Sequence, residues 1–335
     1  MKPIIAVDGM GGDHAPSAVV DGIKLFMRED RLTEFLLVGP EQEMRRLLHS
    51  ENPHTLSYLH CTHYIPMDSK LTLGIFKQKD TTIHEVLRLL KEGRANVAYS
   101  AGNTALFVSL AVGKLGMIKG IERPSICVHL PNLRGGITLF LDVGANVSPK
   151  VNQLVQSAFM GDLYAREVLG IKEPKIGLLN IGEEEKKGDE LRQKTYRILA
   201  SEKRLSFVGN IEGHEIFSGK TDILVTDGFN GNMILKVSEG MVKSFKSMLV
   251  RGMHESFRGR IGMAIAQNSL KNFAKAFDYS AYGGGVLLGV DGVVIISHGR
   301  SSPRAIYNGL TMGRTMIDRT FLTKLKEASS QWTMP

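Results

Sequence analysis

Cysteine and tryptophan are scarce: two of the first and one of the second in 335 residues. Cys61 and Cys127 stand far apart and neither joins a histidine cluster, so no disulfide framework and no metal centre are expected. No apolar run reaches the ~18–20 residues that would span a bilayer. Met1-Lys2-Pro3 leads straight into an apolar strand, without the apolar core and cleavage site of a secretory signal. A cytoplasmic location is the expectation. Several chemical signatures are missing too. There is no GxGxxG dinucleotide fingerprint, no HExxH metal motif and no GxSxG nucleophile elbow. Gly219-Lys220-Thr221 ends like a phosphate-binding P-loop, but His214 fills the required upstream glycine position and a strand follows instead of a helix. No cofactor is expected.

What is present describes a globular enzyme. Hydrophobic residues make up 43% of the chain and charged residues 23%, enough for a large core. The net charge of +8, from 42 basic and 34 acidic side chains, suits acidic partners: phosphorylated substrates, an acidic protein, anionic lipid or nucleic acid. It also suits a basic enzyme with no such partner. Short, continuous apolar runs recur at Pro3–Val7, Phe35–Val38, Ala95–Tyr99, Ile137–Leu141, Lys175–Leu179, Asp222–Thr226 and Val293–Ile296. Continuous runs mark strands covered on both faces. Segments of helical spacing, such as Val151–Leu169 and Glu190–Ser201, lie between them. The alternation predicts an α/β fold with a doubly wound, mostly parallel sheet in three layers.

One region breaks the alternation. From Met233 to Phe277 no strand pattern appears. Ile234, Val237, Met241, Phe245, Met248 and Leu249 keep helical spacing, as do Ala266, Leu270, Phe273, Ala274 and Phe277 after a break near Gly259 and Gly262. Lys236, Lys243, Lys246, Arg251, Arg258, Arg260, Lys271 and Lys275 face only Glu239 and Glu255. The expected organisation is an α/β body over 1–232 and 278–327, with a basic, amphipathic helical hairpin over 233–277 projecting from it.

Six of the predicted strands end in glycine beside a polar residue: Asp8-Gly9-Met10-Gly11-Gly12-Asp13, Ser100-Ala101-Gly102-Asn103-Thr104, Asp142-Val143-Gly144-Ala145-Asn146, Asn180-Ile181-Gly182-Glu183, Asp227-Gly228-Phe229-Asn230-Gly231-Asn232 and Ser297-His298-Gly299. Any one of these is an ordinary turn and helix cap. Together they point to a shared cleft, since open α/β sheets bind ligands outside the carboxyl ends of their strands. Asp8, Gly11, Gly12, Ser100, Gly102, Asn103, Thr104, Asp142 and Asn146 are the candidate substrate-binding residues. Ser100, Asn103 and Thr104 open a helix whose free N–H groups suit phosphate. The run Glu183–Glu190 is either a solvated loop or a carrier for Lys187, whose ammonium would meet phosphate or an oxyanion. Phosphate-ready loops without a protein nucleophile suggest that phosphate itself attacks.

These loops, in this order, resemble the phosphate acyltransferases of bacterial phospholipid synthesis, the PlsX family. Asp8–Pro16, Ser100–Thr104, Leu141–Asn146, Asn180–Glu185 with Lys187-Gly188, and Asp227–Phe229 with Gly231-Asn232 carry the likeness. Asp278-Tyr279, Tyr282–Gly284, Leu287–Gly289 and His298-Gly299 extend it over almost the whole chain. Ala105 replaces the family's usual glycine, Asp189 its asparagine, Ser69 an acid and Phe76 a basic residue. The resemblance implies transfer of acyl groups from acyl-carrier protein to inorganic phosphate, and a fold like that of phosphotransacetylases and isopropylmalate dehydrogenases. It also implies a homodimer peripheral to the membrane, handing acyl phosphate to a membrane glycerol-phosphate acyltransferase.

The mechanism expected on that basis is direct attack of phosphate on the thioester. Lys187 is the candidate charge, Asn180, Asp227 and Asn232 orient it, and His298 moves a proton. Arg251, Arg258, Arg260, Ile261, Met263, Ile265 and Lys271 are expected to meet the carrier protein or an anionic membrane, while the hairpin's apolar face suits a dimer interface. A short-chain phosphotransacetylase using coenzyme A and a non-catalytic phosphate-binding protein are the alternatives. A dehydrogenase lacks its fingerprint here, and a nucleic-acid partner is not expected because the hairpin lacks interleaved aromatics.

Overall fold

The computed structural model describes residues 2–48, 55–69, 72–254, 261–262, 265–266 and 283–332. Its strands are β1 (Ile4–Asp8), β2 (Glu34–Gly39), β3 (Leu56–His60), β4 (Val97–Ser100), β5 (Ser125–Pro131), β6 (Ile137–Leu141), β7 (Lys175–Asn180), β8 (Ser206–Glu212), β9 (Ile223–Val225), β10 (Gly285–Leu288) and β11 (Val293–Ile296). Its helices are α1 (Ser17–Glu29), α2 (Glu41–Leu47), α3 (Leu73–Lys77), α4 (Thr82–Lys91), α5 (Thr104–Leu115), α6 (Val151–Glu167), α7 (Glu190–Ser201), α8 (Gly228–His254), α9 (Pro303–Asp318) and α10 (Phe321–Gln331). All seven apolar runs became strands, and β3, β5, β8 and β10 join them.

The strands form one sheet in the order β3-β2-β1-β4-β11-β10-β5-β6-β9-β7-β8. Its central pairs, β11–β10, β10–β5 and β5–β6, are antiparallel, and the pairs outside them are parallel. Three successive reversals mean that β6, β9, β7 and β8 run opposite to β1, β2, β3, β4 and β11. The sheet therefore has two parallel blocks whose carboxyl ends lie on opposite edges. This corrects the idea that all six polar loops share one edge.

Both faces of the sheet's central strands are dry, as the continuous apolar runs required. Ile5, Val7, Tyr99, Leu141 and Ile295 face a core built with α1, α6, α9 and α10, including Ile23, Tyr164, Leu310 and Leu325. Their neighbours Ala6, Ala98, Phe140, Leu224 and Ile296 face the other way, onto Leu87 of α4, Phe107 of α5, and Ile234 and Leu235 of α8. Residue-by-residue alternation between two helical layers is the three-layer arrangement.

Helix α8 begins at Gly228, five residues before the expected hairpin boundary. Its first turns are docked through Ile234 and Leu235. Beyond them Val237, Met241, Phe245 and Met248 are exposed, spaced four, four and three apart on one helical face. Arg251 is exposed, and Ile261 and Ile265 are helical and exposed. Arg258, Arg260, Met263 and Lys271, and with them most of the second arm of the expected hairpin, lie outside the described residues. No helix among the described residues is long and apolar enough to cross a membrane.

Candidate active site

On the edge where β1, β4 and β11 end, the loops hold one another. Ser100 Oγ donates to Asp8 Oδ2 at 2.7 Å and accepts the Gly102 N–H at 3.0 Å. Burial raises the pKa of Asp8, with the Ser100 hydrogen bond opposing it. Gly11 is pressed against this pair: a Cβ there would lie 2.9 Å from Asp8 Oδ2, Ser100 Oγ and Gly102 N. The Asp13 N–H donates to the Gly299 carbonyl at 2.7 Å, tying the first loop to the last. Asn103 is fully engaged. Its Oδ1 caps α5 by accepting from Leu106 N at 3.1 Å, and its Nδ2 donates to the carbonyls of Met67 and Ser69. Asp8, Gly11, Gly12, Ser100, Gly102 and Asn103 thus shape the edge and are not among the residues that line the cavity beside α8. Thr104 is.

The opposite edge gathers Asp142, Asn146, Asn180, Asp227 and Lys187. Asp142 Oδ1 accepts the N–H groups of Ile126, Gly144 and Ala145 at 2.9, 3.1 and 3.0 Å, and Oδ2 accepts that of Asn146 at 2.6 Å. Burial lifts its pKa to about 6 against the pull of those donors. Asn146 Nδ2 is spent on Gln153. Burial opposes ionisation of Asp227, but the hydrogen bonds from Asn230 and the Arg192 guanidinium outweigh it and hold its pKa low. Asn180 Nδ2 donates to the Lys187 carbonyl at 3.1 Å. The Lys187 side chain is half exposed, 3.9 Å from Glu184, and leans on Gly182. It does not enter the cavity.

Helix α8 spans the gap between the edges. From Gly228 to Lys236 it advances ~12 Å at ~1.5 Å per residue, about the length of a short strand. Starting at the β9 edge, it brings Asn232, Leu235, Lys236 and Glu239 along a cavity of ≈350 Å³ that ends at the β11 edge. Ile126, Val128 and Leu130 of β5 form its floor, with Val143, Leu235 and Ile296 beside them. Thr104 and Ala105, the first residues of α5, lie at its mouth with His298 and Lys236. The N–H groups at a helix start have no intrahelical acceptor and favour an anion. Lys236 Nζ is 3.0 Å from His298 Nε2. Burial lowers the pKa of His298, and the charge of Lys236 lowers it further.

Of the residues expected from sequence, the cavity collects Thr104, Asn232 and His298. The sequence reading missed Lys236 and Glu239 as site residues, together with the apolar floor. Asn232, Lys236 and Glu239 are four and three positions apart, a polar set on one helical face that the apolar count along the hairpin obscured.

A split α/β sheet carrying an apolar trough, with the start of α5, Lys236 and His298 at its mouth, is the fold of the phosphotransacetylases. A phosphotransacetylase from Streptococcus pyogenes superposes over 94% of both chains with a TM-score of 0.60 at 18% identity. A branched-chain phosphotransacylase from Enterococcus faecalis does so over 94% of this chain and 99% of its own, with a TM-score of 0.59 at 16% identity. The sequence is narrower in its likeness. Residues 4–324 match the family described as fatty acid synthesis protein. A Heliobacterium modesticaldum protein named phosphate acyltransferase is 42% identical over 96% of each chain, and a Staphylococcus aureus protein of the same name is 38% identical over 96% of this chain and 97% of its own. The chain belongs to this phosphate acyltransferase family, and it is an acyltransferase.

Proposed function

We propose that the enzyme transfers a fatty acyl group from acyl-carrier protein to inorganic phosphate, releasing an acyl phosphate for phospholipid synthesis. The observation that carries this reading is the cavity: an apolar floor of Ile126, Val128 and Leu130 that runs into the start of α5, Lys236 and His298. The floor suits an acyl chain, and the mouth suits a phosphate. With phosphate held against the thioester carbon, no protein nucleophile is required. His298 is suited to carry the proton because burial and the charge of Lys236 favour its neutral form.

The exposed stripe of Val237, Met241, Phe245 and Met248 supports a second proposal, that two copies pair through α8. The exposed Arg251, Ile261 and Ile265 suit contact with a carrier protein or an anionic membrane, where a glycerol-phosphate acyltransferase would take the product. The test is phosphate-dependent consumption of long-chain acyl-carrier-protein thioester, with the product trapped by hydroxylamine, run beside coenzyme A thioesters. Turnover confined to short coenzyme A thioesters favours the phosphotransacetylase reading instead.

A further inference from the structure

Both ring nitrogens of His298 face N–H donors. The Arg300 backbone N–H lies 3.2 Å from Nδ1, and Lys236 Nζ lies 3.0 Å from Nε2. Imidazolium would turn an N–H towards each of them, so the setting opposes protonation of the ring. A neutral ring has one lone pair to offer the two. The charged donor at the shorter distance takes it, which makes Nε2 the basic nitrogen. Lys236 is held in turn by Glu239, Nζ to Oε2 at 3.0 Å, one turn further along α8. All three side chains line the cavity, and Arg300 and Asp13 are the other charged groups that act on the ring.

We propose that Lys236 is a catalytic residue of this acyl transfer and that Glu239 is its positioning residue. The assignment rests on the phosphate-transfer reading. In the free protein the ammonium occupies Nε2. Dianionic phosphate arriving at the start of α5 competes for that ammonium and draws it off the ring. A phosphate oxygen then forms its bond to the acyl carbon while Nε2, now open, accepts the proton of HPO4(2−). The C–S bond breaks, its electron pair leaves on sulfur, and His298 gives the proton to the thiolate. Thioester and hydrogen phosphate become acyl phosphate and thiol, with no proton or electron left over. Lys236 bears on the phosphate and on the carbonyl oxygen as charge builds there.

The experiment compares wild type with Lys236→Met, Lys236→Arg and Glu239→Gln, in acyl-carrier-protein assays at varied phosphate and pH. The titration of His298 is followed by NMR in parallel. Lys236→Met should lower kcat at least ~100-fold, the scale of losing one oxyanion donor, and raise the KM for phosphate. It should also move the His298 titration, and the acid limb of the rate profile, to higher pH, because a positive charge has gone. Glu239→Gln should move both to lower pH, because a negative charge has gone. Lys236→Arg should keep the His298 titration near its wild-type position and still lose rate, since a planar guanidinium does not replace a point charge. The NMR titration needs folded protein and no turnover. A Lys236→Met enzyme with near-normal kcat, or a His298 titration unmoved in both charge variants, overturns the assignment. Failure of the wild type to make acyl phosphate is a different result, and removes the transfer reading itself.

Discussion

Gly231 passes so close to Asp142 that a Cβ on it would collide with the Asp142 carbonyl oxygen. The first turn of α8 and the start of the loop after β6 touch backbone to backbone. The Gly228 N–H fixes the same contact by donating to the Asn146 carbonyl at 2.9 Å. This approach sets the angle at which α8 leaves β9, and hence where Lys236 meets His298 about 8 Å further on, at ~1.5 Å per residue.

Replacing Gly231 with Ala should therefore act on both stability and rate. Backbone cannot yield as a side-chain tip does, so the cost should reach at least ~2 kcal/mol. Denaturant titration checks the first effect. Turnover checks the second, which should fall even under conditions where the variant is folded.

Val128 sits on the cavity floor. A Val128→Trp enzyme should lose long acyl chains first, with KM for a long-chain thioester rising ~10-fold or more, the scale of a filled hydrophobic subsite. Short-chain thioesters should be affected less. A series of chain lengths measures the contrast.

Two histidines make stability pH-dependent. Burial pushes His84 and His129 down to about 4, with Lys114's charge adding to the effect at His84. In the unfolded chain both ionise near ~6.5. Their contribution is complete above that value and is lost as pH falls towards 4, because the unfolded state takes up protons first. Chemical denaturation should show a declining stability over this window. The decline should be shallower in His84→Gln.

Met241 and Phe245 are exposed on the outer face of α8. On the proposed pairing of two copies through α8, changing both to Glu should leave a monomer in sedimentation experiments where the unchanged protein is a dimer. A double variant that stays dimeric but no longer binds anionic vesicles assigns the stripe to lipid.

The strands that the sequence disclosed are those buried on both faces by side chains of one kind. Val293–Ile296 reads as a strand because every position is apolar, and Ile137–Leu141 because every position but Thr138 is. β5 hid because Ser125, His129 and Pro131 interrupt it, and β8 because Ser206, Gly209 and Asn210 do. Direction was hidden more deeply. An apolar run reads alike whichever way it points, so nothing local in Ile137–Leu141 reveals that it opposes Val97–Ser100. That reversal separated Asp142, Asn180 and Asp227 from Asp8 and Ser100. It also left most of the polar loop residues as caps and braces: Asp189, for example, caps α7 by accepting the Arg192 N–H at 2.9 Å. Of the cavity residues that sequence did find, Thr104 and His298 stand at element ends and Asn232 one turn into α8. Lys236 and Glu239 stand inside a helix, where polar residues normally read as a solvated face.

The proposed chemistry makes phosphate the attacking group in the α5–α8 cavity. The most direct measurement is the fate of a long-chain acyl-carrier-protein thioester with and without inorganic phosphate, with hydroxylamine trapping. The predicted result is thioester loss that requires phosphate, one trapped hydroxamate per thiol released, and near-complete loss of both in His298→Ala. Thiol release that proceeds equally well without phosphate, or that yields free acid and no trappable acyl group, contradicts it.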